Sequence, residues 1–276
     1  MNTHDATAYH APHSAPGDVV LSVVAPCFNE EGNIDSLVDR MVATFDSMNV
    51  SADLLLIDDG SRDATWERIA ARVQGDSRVR GVKHETNRGI EGAWRSGMDA
   101  AAGCLVCLID SDLQNRPEDV ARLYRAYLRD VPDLVQAVRH PVRGLRRCRL
   151  FSRGLNFLLN TVFGMKLRDN KSGFVLARKA ALAELLQHEG EYRYFQSFIG
   201  TAAGVRGYFI TEVDTDFDQR RTGKSFLSRF PIVVSMRIVS EMFRYRAETW
   251  ELSRKSRRPM DWFLTASLTD QTGAKA

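Results

Sequence analysis

The stretch Val19-Val-Leu-Ser-Val-Val-Ala-Pro-Cys27 is a run of β-branched and other apolar residues, which predicts a buried strand. A segment from Asn29 to about Met48 follows, and its apolar residues recur at helical spacing. The same order repeats three times, with strands and helices predicted at residues 54–57, 64–73, 79–83, 93–102, 105–109 and 117–129. Strands that alternate with helices at this spacing predict βαβ units around a mostly parallel sheet.

Polar side chains follow three of these predicted strands directly. The three clusters are Phe28-Asn29-Glu30, Asp58-Asp59 and Asp110-Ser111-Asp112. Ligands of such sheets bind at the carboxyl ends of the strands, so three clusters at equivalent positions favour a binding site. Asp and Asn are also ordinary turn residues, so any one cluster is explained equally well as a turn.

Asp110 and Asp112 have a spacing that suits a metal site. Residues i and i+2 of an extended chain point the same way, so both carboxylates can approach one ion. Oxygen ligands favour Mg²⁺ or Mn²⁺, and Mg²⁺ is usually held by one or two carboxylates together with substrate phosphates. A metal that bridges a diphosphate neutralises the charge on a departing nucleoside diphosphate. We therefore expect Mg²⁺ or Mn²⁺ as the cofactor.

The composition is that of an ordinary globular chain. Of 276 residues, 44% are hydrophobic and 26% are charged, which excludes collagen-like, coiled-coil and wholly disordered chains. The net charge of +3 is too small to imply a nucleic-acid partner. No apolar stretch reaches the length of a membrane span, so we expect a cytoplasmic protein that is soluble or peripheral on the membrane. The six histidines have no partners at metal-ligand spacing, and we expect surface or structural roles for them.

The second half contains basic segments and one long helix. Six arginines and no acid lie within residues 139–154, and residues 219–226 form a second basic, glycine-containing loop. From residue 227 to about residue 250 the pattern predicts an apolar helix with interspersed arginines. This helix either packs on the core with a basic outer face or lies in a membrane interface. The predicted organisation is a disordered leader, an α/β domain, an amphipathic helix with a basic tail, and a C-terminal tail, over residues 1–18, 19–226, 227–258 and 259–276.

Several motifs resemble those of the family 2 inverting glycosyltransferases. They are Val23-Val-Ala-Pro-Cys-Phe-Asn-Glu-Glu31, Leu55-Leu-Ile-Asp-Asp-Gly-Ser-Arg-Asp63, Asn87-Arg-Gly89 with Gly97, and Ile109-Asp-Ser-Asp-Leu-Gln114. Two later motifs are similar to the dolichyl-phosphate mannose synthase branch, namely Asp169-Asn-Lys-Ser-Gly-Phe174 and Arg220-Arg-Thr-Gly-Lys-Ser225. The resemblance covers residues 19–230 with the motifs in order, and it implies a GT-A fold, a nucleotide-sugar donor and a divalent metal.

The resemblance also implies roles for residues at the strand ends. The nucleotide pocket would be lined by Pro26, Phe28 and Glu30, with Ile57 and Asp59 near the base and ribose. The donor diphosphate and its metal would be bound by Asp110, Ser111, Asp112 and Gln114, of which Asp110, Asp112 and Gln114 are the candidate metal ligands. Arg220 would close over the donor phosphates, so Asp112 and Arg220 are candidate catalytic residues. Phe28 stands where the family often has Tyr, and Phe226 stands where the basic loop usually has Lys.

In this branch the acceptor is a polyprenyl phosphate, and its phosphate would be bound by Arg139, Arg149, Ser152 and Arg153. Arg suits that role because it binds phosphate bidentately, and a phosphate that is already anionic needs no strong base to attack a sugar. A hydroxyl of a glycan, a lipid or a small metabolite would need a base, for which Asp169 is the candidate. A nucleotide-sugar-binding protein without turnover is the alternative from another class. A polyprenyl acceptor also implies peripheral contact with a membrane.

Overall fold

The computed structural model describes residues 19–141, 154, 156–157, 159–170, 172–188, 190, 192–218 and 231–255. Four of the predicted site residues lie outside the described residues: Arg149, Ser152, Arg153 and Arg220. The predicted leader over residues 1–18 and the predicted tail over residues 259–276 also lie outside them.

The first half of the chain alternates strands and helices as its apolar pattern predicts. Its elements are β1 (Leu21–Cys27), α1 (Ile34–Met48), β2 (Ala52–Asp58), α2 (Thr65–Gly75), β3 (Val79–Lys83), α3 (Gly89–Ala100), β4 (Leu105–Leu108) and α4 (Asp119–Asp130). Every residue of β2 and β4 is buried, as expected for strands covered by helices on both faces. Helix α3 begins four residues before its predicted start at residue 93, so the motif at residues 87–89 lies at its N-terminus.

The second half contains three strands that the sequence pattern did not predict. Its elements are β5 (Leu134–Pro141), β6 (Val175–Arg178), α5 (Lys179–Leu186), α6 (Ile199–Val205), β7 (Ile210–Phe217) and α7 (Pro231–Lys255). Residues 156–157 and 159–163 are also helical. The long helix predicted from residue 227 corresponds to α7. No helix in the described part of the chain combines the length and the apolar composition needed to cross a bilayer.

The seven strands of the described residues form one sheet in the order β3-β2-β1-β4-β6-β5-β7. Strand β6 is antiparallel to both of its neighbours, β4 and β5, whereas every other neighbouring pair is parallel. Six strands therefore run in one direction, and their carboxyl ends meet at one edge of the sheet. The prediction of a mostly parallel α/β sheet flanked by helices is confirmed, and the carboxyl ends of β5 and β7 are added to the edge that carries the three polar clusters.

Helices cover both faces of the sheet. On one face α3, α5, α6 and α7 pack on alternate strand residues such as Val24, Leu55 and Leu108. On the other face α1, α2 and α4 pack on the intervening residues. Helix α3 approaches β1 closely because residue 97 is glycine, since a Cβ there would lie 2.2 Å from Cγ1 of Val24. This close packing sets the position of the N-terminus of α3 beside the carboxyl ends of β1 and β2.

Candidate active site

The turns after β1 and β2 are joined by hydrogen bonds that fix the first two polar clusters. The backbone N–H of Asn29 donates to Oγ of Ser61 at 2.9 Å, and the backbone N–H of Arg62 donates to Oδ1 of Asn29 at 2.8 Å. The backbone N–H of Glu30 donates to Oγ1 of Thr65 at 2.8 Å. Asn29 has a φ of 56°, a left-handed conformation that Asn tolerates better than most residues. The two turns therefore form one preorganised wall at the carboxyl edge.

The residues predicted to line the nucleotide pocket differ in exposure. Phe28 is 44% exposed, so its ring offers a flat apolar surface at the carboxyl edge. Glu30 is buried and accepts a hydrogen bond from the side chain of Asn33. Pro26 is half-buried, and its carbonyl oxygen accepts from the hydroxyl of Ser111. Ile57 is wholly buried in the hydrophobic cluster under α3, so its side chain faces the core.

Asp59 lies buried after the end of β2 and is bound by the loop that follows β3. Its Oδ1 lies 2.7 Å from Nδ1 of His84, and it accepts a hydrogen bond from the backbone N–H of Arg88 at 2.8 Å. His84 is itself buried, and its Nε2 lies 2.8 Å from Oγ of Ser96. His84 therefore contacts Asp59, a residue predicted to bind the nucleotide donor. The sequence pattern did not predict this contact. The position of His84 directly after the third strand was the available signal.

The segment after β4 is a turn, whereas the sequence argument assumed an extended chain. Asp110 and Asp112 are both half-buried, and the hydroxyl of Ser111 between them donates to the carbonyl oxygen of Pro26 at 2.7 Å. The backbone N–H of Gln114 donates to Oδ1 of Asp112 at 3.0 Å. Leu113 is buried with a φ of 61°, a strained conformation for a non-glycine residue. A strained backbone conformation persists only where the surrounding contacts enforce it, and here it lies beside the two carboxylates.

Residues 114–116 are attached to the end of β7. Asn115 forms an antiparallel bridge with Phe217, and the backbone N–H of Asp218 donates to the carbonyl oxygen of Gln114 at 2.8 Å. The guanidinium of Arg116 donates to both carboxylate oxygens of Asp218 at 2.8 Å. These hydrogen bonds raise the pKa of Arg116. The side-chain amide of Gln114 donates to the carbonyl oxygen of Asp218 at 3.4 Å, so this predicted metal ligand lies between β4 and β7.

Arg139 and Asp169, predicted for two different acceptors, form one ion pair. Nε and Nη2 of Arg139 donate to the two carboxylate oxygens of Asp169 at 2.7 and 3.0 Å. The guanidinium also lies 5.4 Å from the centroid of the Phe217 ring. Burial acts to lower the pKa of Arg139, but the charge and hydrogen bonds of Asp169, with the charge of Asp110, outweigh it and raise the pKa. Arg139 is thus a firmly charged group within electrostatic reach of the candidate metal site.

The side-chain oxygen atoms after β4 suit a divalent cation whose remaining ligands are supplied by a substrate. The described residues contain no group of three or more His, Cys, Asp or Glu that could hold a metal ion alone. Two carboxylates at Asp110 and Asp112 match the usual mode of Mg²⁺ binding, in which substrate phosphates supply further ligands. Beside them, the buried amide oxygen of Asn115 has no hydrogen-bond partner in this part of the structure, while its nitrogen donates to Asp110. The donor set therefore suits a metal–diphosphate complex.

The mostly parallel sheet with acidic turns after β1, β2 and β4 agrees with the GT-A glycosyltransferase fold that the motifs imply. Residues 22–186 match the model of the family described as "Glycosyl transferase family 2". The chain therefore belongs to glycosyltransferase family 2, as its motifs predict.

Two relatives are enzymes named for polyprenyl phosphates. The undecaprenyl-phosphate 4-deoxy-4-formamido-L-arabinose transferase of Shewanella sediminis is 31% identical over 74% of this chain and 61% of its own length. The dodecaprenyl-phosphate galacturonate synthase of Rhizobium johnstonii is 30% identical over 82% of this chain and 68% of its own length. The chain thus spans about two thirds or less of the length of these relatives.

A solved structure confirms the GT-A fold. The glucosyl-3-phosphoglycerate synthase of Mycobacterium tuberculosis, in complex with Mg²⁺ and uridine diphosphate, matches with a TM-score of 0.59 and 25% identity. The match covers 84% of this chain and 80% of that one.

Proposed function

We propose that this protein transfers a sugar from a nucleoside-diphosphate donor to a polyprenyl phosphate, with inversion at the anomeric carbon and with Mg²⁺ or Mn²⁺ as its metal. The names of two relatives that are 31% and 30% identical support a polyprenyl-phosphate acceptor. The single observation that carries this choice of acceptor is the ion pair between Arg139 and Asp169 at the carboxyl edge of the sheet.

The ion pair disfavours Asp169 as the base that a hydroxyl acceptor needs. Both of its carboxylate oxygens accept hydrogen bonds from Arg139, so neither oxygen is free of that pair to take a proton from an alcohol. A polyprenyl phosphate needs no such base, because a phosphate monoester is already anionic near neutral pH. Nε and Nη2 of Arg139 each donate one hydrogen to Asp169, so an acceptor phosphate would be bound by the remaining N–H groups on Nη1 and Nη2. Arg149, Ser152 and Arg153 remain predictions for the same phosphate.

On the donor side, Phe28 offers a ring surface to the base, while Glu30 and Asp59 offer buried carboxylates to the nucleoside. Asp110 and Asp112, with Gln114 as the third predicted ligand, would hold Mg²⁺ or Mn²⁺. When bound, the metal supplies positive charge to the leaving diphosphate. Arg220 remains a prediction for the donor phosphates.

In the proposed reaction an oxygen of the acceptor phosphate forms a bond to the anomeric carbon. The bond from that carbon to the β-phosphate oxygen of the donor breaks, and its electron pair leaves with the nucleoside diphosphate. Arg139 orients the attacking phosphate, and the turn at residues 110–114 positions the departing diphosphate. Catalysis then consists mainly of positioning and of charge stabilisation in a preorganised site.

The decisive experiment measures release of nucleoside diphosphate from a panel of UDP- and GDP-sugars with Mn²⁺ or Mg²⁺, with and without a short-chain polyprenyl phosphate. We expect the lipid phosphate to stimulate release, and we expect Asp112→Ala to reduce it by about 100-fold, a usual size for a charge-stabilising group. The matched control is Asp99→Ala, which removes an exposed carboxylate of α3 and should leave the rate unchanged.

The alternatives give different results in the same assay. Stimulation by an alcohol acceptor but not by the lipid phosphate would refute the proposed acceptor in favour of a hydroxyl. Binding of the nucleotide sugar without turnover, unaffected by Asp112→Ala, would support a protein that binds nucleotide sugars without catalysis. In the hydroxyl case Asp169→Asn should abolish transfer while donor binding is retained.

We also propose that the protein contacts an anionic membrane surface through an exposed apolar and basic area, here called the interfacial surface, formed by Phe157, Met236, Arg237, Phe243 and Arg244. Phe157 is 73% exposed, Met236 is 67% exposed and Phe243 is 48% exposed. Arg237 and Arg244 are exposed on α7 and supply charge complementary to anionic lipids.

The interfacial surface is connected to the proposed acceptor site. The ring of Phe243 lies 5.5 Å from that of Phe163, in the helical segment that also contains Phe157. At the start of this segment, Asn156 donates to the carbonyl oxygens of Leu167 and Arg168, directly before Asp169. A lipid acceptor bound at Arg139 would therefore have an apolar surface nearby.

Co-sedimentation tests the membrane contact, with vesicles of phosphatidylcholine alone or mixed with phosphatidylglycerol. We expect binding to the mixed vesicles, and we expect Phe243→Ser to weaken it several-fold. Leu128→Ser is the matched control, because Leu128 is a 46% exposed apolar residue on α4. Equal binding of both variants and the wild type would contradict the proposed surface.

A further inference from the structure

We propose that His84, held by Ser96, is a positioning residue that orients Asp59 toward the base and ribose of the nucleotide donor. The proposal rests on the donor site proposed above and goes beyond it, because neither His84 nor Ser96 belongs to the motifs from which that site is predicted. Its basis is a chain of two hydrogen bonds in a buried position behind Asp59.

The first observation is that one oxygen of Asp59 is saturated by protein donors. Oδ1 of Asp59 lies 2.7 Å from Nδ1 of His84 and accepts from the backbone N–H of Arg88 at 2.8 Å. Two donors that converge on one oxygen fix the plane of the carboxylate. Within the described ranges of the chain no group donates to Oδ2 of Asp59, so that oxygen is left for a ligand. The side chain is only 5% exposed, which restricts the directions from which a ligand can reach it.

The second observation is that the imidazole of His84 is held at both nitrogens. Nδ1 must donate to Asp59, because a carboxylate only accepts. Nε2 lies 2.8 Å from Oγ of Ser96, whose hydroxyl can donate or accept as required. His84 is 3% exposed, so the ring cannot exchange these partners for water without opening the structure. Ser96 lies on α3, which packs directly on β1. The hydrogen bonds through His84 therefore anchor the side chain of Asp59 to the rigid core.

The third observation is that the turn after β2 is shaped to receive this loop. Gly60 has a φ of 74°, and a Cβ there would lie 2.9 Å from both the backbone nitrogen of Asn87 and the carbonyl carbon of Thr86. A side chain at residue 60 would therefore push the loop away from Asp59. Arg88 is the N-cap residue of α3, so the carboxylate of Asp59 also lies at a helix N-terminus, where negative charge is stabilised.

These contacts give His84 a role in recognition of the nucleoside. A carboxylate oxygen that points in one fixed direction suits an N–H group of a base or a hydroxyl of ribose. Without His84, the carboxylate of Asp59 could rotate about its bond to Cβ and lose this preorganisation. The diphosphate, which the turn after β4 is proposed to bind, would be unaffected.

Calorimetric titration of the full chain with UDP, GDP, CDP and ADP in the presence of Mn²⁺ tests the proposal. For the nucleotide that binds best, we expect His84→Leu to weaken binding about tenfold or more, the effect of losing one charge-assisted hydrogen bond. We expect His84→Asn to stay within about threefold of the wild type, because the amide nitrogen of Asn can replace Nδ1 as a donor to Asp59. Pyrophosphate with Mn²⁺ should bind all these variants equally, because it lacks the base and the ribose.

His140→Leu is the matched control, because His140 forms an exposed hydrogen bond with Asp214 and the variant makes the same chemical change away from Asp59. It should leave nucleotide affinity unchanged. If His84→Leu does not fold, Ser96→Ala removes only the outer hydrogen bond and should weaken nucleotide binding about threefold.

Three results would overturn the positioning role. They are unchanged nucleotide affinity in a folded His84→Leu variant, equal losses of nucleotide and pyrophosphate binding, and His84→Asn binding as weakly as His84→Leu. Failure of the wild type to bind any of the four nucleotides would refute the donor site and this proposal together. Failure of a lipid phosphate to stimulate turnover would refute the proposed acceptor. It would not affect the proposed role of His84, which the nucleotide titrations test separately.

Discussion

The ion pair between Arg139 and Asp169 should contribute measurable stability, which a double-mutant cycle can isolate. The proposed changes are Arg139→Met, which keeps the apolar stem beside the ring of Phe217, and Asp169→Ala. The two side chains are 27% and 12% exposed, so the pair lies between a surface ion pair and a fully buried one. Surface pairs contribute about 0–1 kcal/mol, while breaking a buried pair costs about 3–5 kcal/mol. We therefore expect each single variant to lose about 2 kcal/mol of unfolding free energy.

The double variant should lose much less than the sum of the two single variants. Each single change leaves a charged partner in a mostly desolvated position, and the second change removes that penalty. We expect a coupling free energy of about 2 kcal/mol from urea unfolding of the four proteins. For a domain of this size, each single variant should also lower the midpoint of thermal unfolding by about 4–8 °C.

A matched cycle on the exposed pair of Arg129 and Asp130 provides the control. This pair has the same bidentate geometry, with distances of 2.7 and 2.8 Å, but Arg129 is 71% exposed. Water and salt screen such a pair, so Arg129→Met and Asp130→Ala should be additive. A coupling at Arg139 and Asp169 no larger than that at the control pair would refute the reasoning.

Three further perturbations follow from other contacts. Gly97→Ala places a Cβ 2.2 Å from Cγ1 of Val24, so it should cost about 1–3 kcal/mol in urea unfolding and be partly rescued by Val24→Ala. Burial lowers the pKa of His188, so the unfolded chain takes up a proton first as the pH falls through the ordinary histidine pKa of about 6.5. The midpoint temperature of thermal unfolding should therefore decrease as the pH is lowered from about 7.5 to about 5.5. The decrease should be smaller in His188→Phe. Arg116→Met should raise the KM for the nucleotide sugar and destabilise the fold by about 1 kcal/mol, whereas Arg122→Met on α4 should change only stability.

The sheet core and three of its site turns could be predicted because they follow local patterns. Strands β1, β2 and β4 are buried on both faces, so they are mostly apolar runs, and each ends at a polar cluster or within one residue of it. Their parallel pairing brings those clusters together without any further information.

Strand β7 could not be predicted because its stability depends on distant residues. It contains acids at alternate positions, and these pair with cations from other elements: Glu212 with Arg168, Asp214 with Arg168, and Asp216 with Arg116. An acidic alternation of this kind does not indicate a strand until its partners are known. The second half therefore contains acids paired with arginines as well as the basic segments that the sequence shows.

The contact between Arg139 and Asp169 escaped prediction for a related reason. The two residues are 30 positions apart. Arg139 lies on β5, a strand that the sequence pattern did not predict, whereas Asp169 lies in the motif before β6. Both residues were predicted as candidates for the acceptor side, and these roles remain predictions. Their pairing, which bears on the choice between the two acceptors, required the tertiary structure.

The bridge between Asn115 and Phe217 has a consequence for how the protein matures. It joins the turn that carries Asp110 and Asp112 to a strand synthesised about 100 residues later, roughly 5–20 seconds at ordinary rates of translation. Strands β1 to β4 can pair while the ribosome is still producing the remainder of the chain. The contacts of residues 114–116 with Phe217 and Asp218 cannot form until β7 emerges, and such long-range closure is a slow step in folding. A nascent chain would thus pair its first four strands before the turn that carries Asp110 and Asp112 is joined to β7.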